Sequence, residues 1–277
     1  MGALVQYVTA QPGPRERLRE LYAYRELVFN LTARDLKLKY KGSVLGVAWS
    51  LLNPLLQMAV YTAVFSVFLH VVRVPNYWAF VVGGILAWTF FSTTLSQAAI
   101  SFTRNPHLIS KVYFPMEALP LSMVIANFVN FLIPLVLLVV VLFVARVPVG
   151  TSLVLLPVIV LAQLALCAGW ALIVASLTVF LRDIEHFLVL GLQVLFYLTP
   201  ILYPLTASTL PSAARPFLPL LRLNPLSWYL NCYHAVLFFG TWPDTLDLAL
   251  MLVFSVLSVG AGFLLFVRLR PRLPEAV

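Results

Sequence analysis

Asp183 and Glu185 stand in the stretch LRDIEH, between Arg182 and His186. They are the nearest pair of carboxylates that general acid–base chemistry would ask for. Two residues apart on a helix they do not face one another. A helix start or a salt bridge with Arg182 accounts for them better. The four histidines, His70, His107, His186 and His234, are scattered along the chain and read as interfacial polar residues rather than ligands or bases. Cys167 lies in an apolar run and Cys232 beside Asn231 and Tyr233. Two isolated cysteines give neither metal spacing nor a disulfide framework and read as small apolar fillers. HExxH and CxxC are missing, and so is a GxxxxGK loop followed by Ser or Thr. Lys41-Gly42-Ser43 lacks the earlier glycine, so the chain cannot hold ATP by that device.

Other residues are suited to binding without bond-making. Arg34, Lys37, Lys39 and Lys41 form a basic collar directly before an apolar run. Such a collar can anchor on anionic headgroups, at about 1 kcal/mol per basic residue, or attract the phosphates of a cargo. Wound at about 100° per residue, Ser50, Asn53, Gln57, Tyr61, Phe65 and Phe68 fall within roughly 60° of one line. Polar groups facing lipid are costly, so the stripe faces protein or a conduit. Gln193, Phe196, Tyr197 and Pro200 cluster similarly further along. Aromatic rings stack on sugar faces and amides bind hydroxyls, so both groups suit a path for a long polar chain. Ordinary helix packing explains any single member equally well. Asn53-Pro54 predicts a kink or break, and Gly42 and Gly46 make a GxxxG pattern that permits close helix approach.

The elements that position these residues follow from composition. The chain has 277 residues, 62% of them hydrophobic and 10% charged, with a mean hydropathy of +0.97. A soluble domain carries roughly a quarter charged residues; here lipid is the main solvent. The net charge of +8 crowds beside apolar spans, as membrane anchors do, which argues against nucleic acid. A span takes about 20 apolar residues, and six segments qualify: 46–70, 79–101, 118–144, 153–180, 187–204 and 246–267. The N-terminal stretch lacks the basic region of a signal peptide, so insertion through the first span without cleavage is expected. Fourteen Lys and Arg fall in the N-terminal tail, the second and fourth connections and the C-terminal tail, against Arg73, Arg146, Arg215 and Arg222 on the other side. That asymmetry places both termini in the cytoplasm.

Three pieces do not span. Residues 15–41 read as an amphipathic helix on the cytoplasmic surface, with Leu21, Tyr24, Val28 and Leu31 at helical spacing. In SFTRNPHLISKVYFP, Asn105 is a good N-cap, Pro106 fits the first helical position and Pro115 ends the piece. His107 and Lys111 then share one face. The segment 204–244 is rich in proline, with apolar pieces too short to cross and too apolar for a solvated loop, which fits re-entrant helices.

Four ordered stretches carry a resemblance: RDLKLKYKGSVLGVAWSLLNPLLQMAVY, NPHLISKVYFPMEALPL, LRDIEHFLVLGLQVLFYLTPILYP and LNPLSWYLNCYHAVLFFG. Together they resemble the ABC-2 family permeases that export polysaccharides and polyol phosphates. The resemblance implies an all-α integral membrane protein, a single transmembrane domain over 1–277 with a six-span bundle over 46–268. It implies a homodimer served by two copies of a separate ABC ATPase subunit, with ATP and Mg on that partner and none bound by this chain. The cargo would be an undecaprenyl-diphosphate-linked glycan in a bacterial cytoplasmic membrane. Asn105, Pro106, His107, Ile109, Lys111 and Tyr113 would form the coupling helix that meets the ATPase. Asn53, Gln57, Tyr61, Phe65, Gln193, Phe196 and Tyr197 would line the conduit, and Tyr203, Asn224, Trp228, Tyr233 and His234 the outer gate. The chain departs from the family pattern at Met116 and His234, where a basic residue is frequent. The first departure bears on a cytoplasmic salt bridge; the second bears on a fixed charge at the outer gate, since histidine is mostly neutral at pH 7. Two other readings stand beside this one: an ABC-2 exporter of a drug or small lipid, with a narrower apolar path, and a membrane-embedded glycosyltransferase or hydrolase, which needs the acid–base cluster that Asp183 and Glu185 do not make.

Overall fold

The computed structural model describes residues 19–20, 22–43, 45–64, 76–105, 115–205 and 216–273. Among them every regular element is helical. In chain order these are α1 (Arg25–Tyr40), α2 (Trp49–Thr62), α3 (Tyr77–Ala99), α4 (Ala118–Val144), α5 (Leu156–Phe180), α6 (Asp183–Leu198), α7 (Leu218–Leu223), α8 (Pro225–His234) and α9 (Thr245–Leu269). A 3-10 turn, Thr151–Leu155, leads into α5, and a π turn, Ala235–Phe239, continues α8.

Among the described residues four pieces are long and apolar enough to cross a membrane: Tyr77–Ala99, Ala118–Val144, Thr151–Phe180 and Thr245–Arg272. They follow the expected second, third, fourth and sixth spans. The expected first span is helical over Trp49–Thr62, and residues 65–75 lie outside the described set. That helix runs through Pro54 without interruption, so the Asn-Pro pair does not break it. Pro54 is the sixth residue of that helix, so it forgoes one ladder bond to the preceding turn without ending the helix. The apolar run expected over 187–204 also differs. Helix α6 begins at Asp183 and stops at Leu198, because Thr199 precedes Pro200 and is extended, at φ −104° and ψ 140°.

Helix α3 sits at the centre, packed by α2, α4, α5, α6 and α8. Phe80, Val81, Ile85, Ala87 and Phe90 along it are buried, and the Phe90 ring stacks on Phe131 of α4 at 5.0 Å. Helices α5 and α9 make the most extensive pair. They cross at Gly169 and Gly262, where a Cβ on either would collide with the other helix's backbone. In an apolar solvent, close approach through small residues is what holds helices together. Gly42 and Gly46 do not work this way. Both have left-handed φ, 78° and 49°, in the turn between α1 and α2, with nothing within 4 Å of a built Cβ. The GxxxG pattern is therefore a turn, not a packing surface.

Helix α1 lies along α4. Leu31 is buried near Phe102, Ala118 and Leu119, with Leu27 and Val28 packed beside it. The Thr32 hydroxyl donates to the Val28 carbonyl at 2.8 Å and approaches the Ser122 carbonyl at 3.5 Å. The connections rich in Lys and Arg converge on one end of the bundle, called here the basic end. Arg34 donates to the Asn105 side-chain oxygen at 3.3 Å. Arg270 lies 3.6 Å from Glu117 and 3.9 Å from Glu20.

Candidate functional site

At the basic end a groove opens between α1, α2, α3 and α4. Its mouth, about 490 Å³, is lined by Arg34, Lys39, Arg104, Asn105, Gln97 and Asn127. It continues into a pocket of about 340 Å³ that shares Lys39, Gln97, Asn127 and Asn130 and adds Asn53, Thr89 and Thr93. The order is set by helical spacing: Thr89, Thr93 and Gln97 recur at four residues along α3, one above the other. Asn127 and Asn130 do the same on α4 at three. The Asn127 amide donates to Gln97 Oε1 at 2.9 Å and the Asn130 amide to the Ala126 carbonyl at 2.9 Å. Thr93 donates to the Thr89 carbonyl at 2.6 Å. Among the described residues one carboxylate lines the mouth, Asp35, and Arg34 is bonded to it at 3.0 and 3.2 Å. Lys39 is exposed as a residue, yet burial on its groove side lowers its pKa. The arrangement offers amides and hydroxyls to hydroxyl-rich matter and cations to phosphate.

A second patch lies where α2, α3 and α6 meet. Tyr61 packs on Phe196 at 5.9 Å, Trp88 meets Phe196 edge-on at 5.6 Å, and Phe196 meets Tyr197 at 5.2 Å. Asn53 and Gln57 on α2 and Gln193 and Tyr197 on α6 are exposed.

At the opposite end α7 and α8 form a helical hairpin bent at Asn224. Asn224 caps α8 by accepting from the Leu226 amide at 3.1 Å, and its own amide donates to Thr199 Oγ1 at 2.9 Å. Ser227 and the Trp228 indole reach back to the carbonyls of Leu221 and Arg222 at 2.8 and 2.9 Å. The hairpin is riveted to the bundle by buried polar contacts. Tyr233 donates to Gln163 Oε1 at 2.7 Å, and the Gln163 amide donates to the Ala87 carbonyl at 2.7 Å. The Tyr229 hydroxyl meets Ser255, which donates to the Ala162 carbonyl at 2.9 Å. Tyr203 donates to the Tyr197 carbonyl at 2.9 Å. His234 is buried with its ring stacked 3.7 Å from Phe80, and it borders a cavity also lined by Arg222, Asp244 and Asp247. Among the described residues no cluster of His, Cys, Asp and Glu could hold a metal ion.

The family model of the ABC-2 type transporter matches residues 26–238. The chain belongs to the ABC-2 type transporter family. It is 35% identical over 260 residues to the O-antigen export system permease protein RfbA of Myxococcus xanthus, covering 94% of this chain and 98% of that protein. It is 32% identical over 251 residues to a protein of the same name from Klebsiella pneumoniae, covering 90% and 94%.

In this ABC-2 protein the residues singled out from sequence fall into distinct places. Asn53 joins the groove, and Tyr61 and Phe196 meet each other. Gln57, Gln193 and Tyr197 are exposed without entering either cavity described so far. Arg34 and Lys39 face the groove, whereas Lys37 and Lys41 line a different cavity on the far side of α1. Asn224 is a cap, Trp228 is half-buried on the hairpin, and Tyr233 is a buried rivet. Of the expected coupling residues only Asn105 is described, paired with Arg34. Pro106, His107, Ile109, Lys111 and Tyr113 lie outside the described residues, as does Phe65 of the stripe. Sequence reasoning missed Gln97, Asn127, Asn130 and Gln163. The signal for each was an amide inside an apolar helix, which is costly unless it has work or a partner.

Proposed function

We propose that this chain is the membrane-spanning subunit of an ATP-driven exporter that moves a lipid-linked polysaccharide, of the O-antigen or teichoic-acid kind, across the cytoplasmic membrane. The observation that carries the reading is the groove at the basic end. Gln97, Asn127, Asn130 and Asn53 present amides where an apolar wall would be cheaper, and Lys39 and Arg104 stand at the mouth. Amides suit the hydroxyls of a glycan, and the two cations suit the diphosphate of its lipid carrier. A narrow apolar path for a drug would not need them. The names of the relatives in Myxococcus and Klebsiella agree with this cargo.

The working unit is two copies of this chain with two separate ABC ATPase subunits, which hold the ATP and Mg. Both termini lie in the cytoplasm. The chain crosses six times, with α2 and its continuation as the first span and α6 as the fifth. The α7–α8 hairpin re-enters from the outer side. The connection beginning at Asn105 carries the ATPase stroke, and its entry is steadied by Arg34 on α1. Alternate opening of the two ends passes the glycan along the exposed faces of α2 and α6, where Gln57, Tyr61, Gln193 and Tyr197 supply amides and rings.

The test is export against ATP hydrolysis in the assembled transporter. Asn127→Leu with Asn130→Leu removes two glycan-facing amides while keeping the helix. At about 1 kcal/mol per lost hydrogen bond, export of the lipid-linked glycan should fall by roughly tenfold or more while ATP hydrolysis persists. Undiminished export in that variant would sink the proposal.

A further inference from the structure

Lys37 and Lys41 line a second cavity, which shares Arg34, Leu38 and Asn130 with the mouth of the groove and belongs to no step above. On the outer side of α1, facing away from Gln97 and Asn127, lies a cavity of about 950 Å³ lined by Asn30, Arg34, Lys37, Lys41, Asn130 and Ile133. Lys37 and Lys41 are four residues apart, hence on one face of α1, and both are exposed. Among the described residues no carboxylate lines it; Asp35, next in sequence to Arg34, lines the groove instead. Beyond Ile133 the surface of α4 turns wholly apolar and open: Val136, Leu137 and Val140 are 61%, 41% and 52% exposed. A patch of cations and amides thus passes directly into a bare aliphatic strip along one helix.

We propose that this cavity holds a resident anionic glycerophospholipid. Its phosphate sits between Lys37 and Lys41, its headgroup hydroxyls lie against Asn30, and an acyl chain runs along Ile133, Leu137 and Val140. Charge complementarity selects this occupant. A second copy of the chain carries +8 and gains nothing from two more cations. The residues before Arg19 carry Arg15 and Arg17 against one acid, Glu16, and their net positive charge is repelled likewise. Long lysine stems can lie on the aliphatic wall while their ammonium groups stay at headgroup depth. The lipid would fill the outer side of α1 while cargo uses the inner side, which gives the two halves of the collar different work.

The experiment uses the full chain in phosphatidylcholine vesicles with or without phosphatidylglycerol, and counts retained lipids by native mass spectrometry. Retention of phosphatidylglycerol should fall roughly thirtyfold in K37Q/K41Q, from about two headgroup–cation attractions lost, and stay unchanged in K39Q. Ile133→Trp, which fills the apolar end and leaves both lysines, should lower it too. Retention unaltered in K37Q/K41Q, or reduced equally in K39Q, would overturn the site. So would an isoprenoid diphosphate as the retained mass, or cross-links that seat a second copy or the first eighteen residues against Ile133. The readout does not depend on export, so loss of the glycan-export reading would leave it standing.

Discussion

Gln163 is the residue on which most of the hairpin's attachment rests. It is buried in α5, accepts from Tyr233 and donates to the Ala87 carbonyl, so one amide joins α8, α5 and α3. Gln163→Leu strands the buried Tyr233 hydroxyl and removes the side-chain bond at the Ala87 carbonyl, which keeps its helix bond, at a cost of about 1–3 kcal/mol. Tyr233→Phe strands less. If the two groups act as one contact, the double variant should be scarcely worse than Gln163→Leu alone, which a double-mutant cycle of unfolding free energies in detergent would read. Additive losses would show that Tyr233 is held by packing and not by Gln163. The sequence marks Gln163 only as an amide in LAQLAL. Its partners come from α3 and α8, far away along the chain, and no local pattern carries that information. The same holds for Asn127, whose meaning depends on Gln97 and Lys39. Tyr61 and Phe196 were legible because helical periodicity puts rings on definite faces. That the two faces meet was not.

At the scale of elements, small residues decide where helices touch. Gly169 meets the Ser258 backbone and Gly262 meets Gly169. A methyl at Gly169 must push α9 away, an overpacking cost of about 1–3 kcal/mol. Gly191, on α6, has nothing within 4 Å of a built Cβ. Gly191→Ala should be neutral or stabilising by up to about 1 kcal/mol through helix propensity. Gly169→Ala should therefore melt below the parent chain while Gly191→Ala does not; equal shifts would mean that the α5–α9 crossing is looser than the close Gly169–Gly262 approach implies. Neither glycine could be ranked from sequence, where both interrupt apolar runs alike. Helix bounds were more legible. Apolar length alone placed α4 between Glu117 and Ala145. It failed at α6, where hydropathy ran past Pro200 although the rule that proline disfavours helix at the preceding residue applies there.

At the scale of the molecule, three remote parts of the chain are tied by one guanidinium. Arg270, at the end of α9, lies beside Glu117, at the start of α4, and beside Glu20, ahead of α1. Glu117 is 4% exposed. Removing the cation leaves a buried carboxylate, which costs about 3–5 kcal/mol. Arg270→Ala should lower the melting temperature of the chain, and Glu117→Gln in the same chain should restore most of it. A double variant as weak as the single one would assign the loss to Glu20 or to packing instead.

The halt of α6 at Leu198 has a consequence for the bilayer. Sixteen residues rise roughly 24 Å, while hydrocarbon is about 30 Å thick. As the proposed fifth span, α6 would require the lipids beside it to shorten, splay or admit water near Thr199 to match so low a wall. The membrane would be thinnest beside that helix, and a polar headgroup crossing there would have the least oil to traverse.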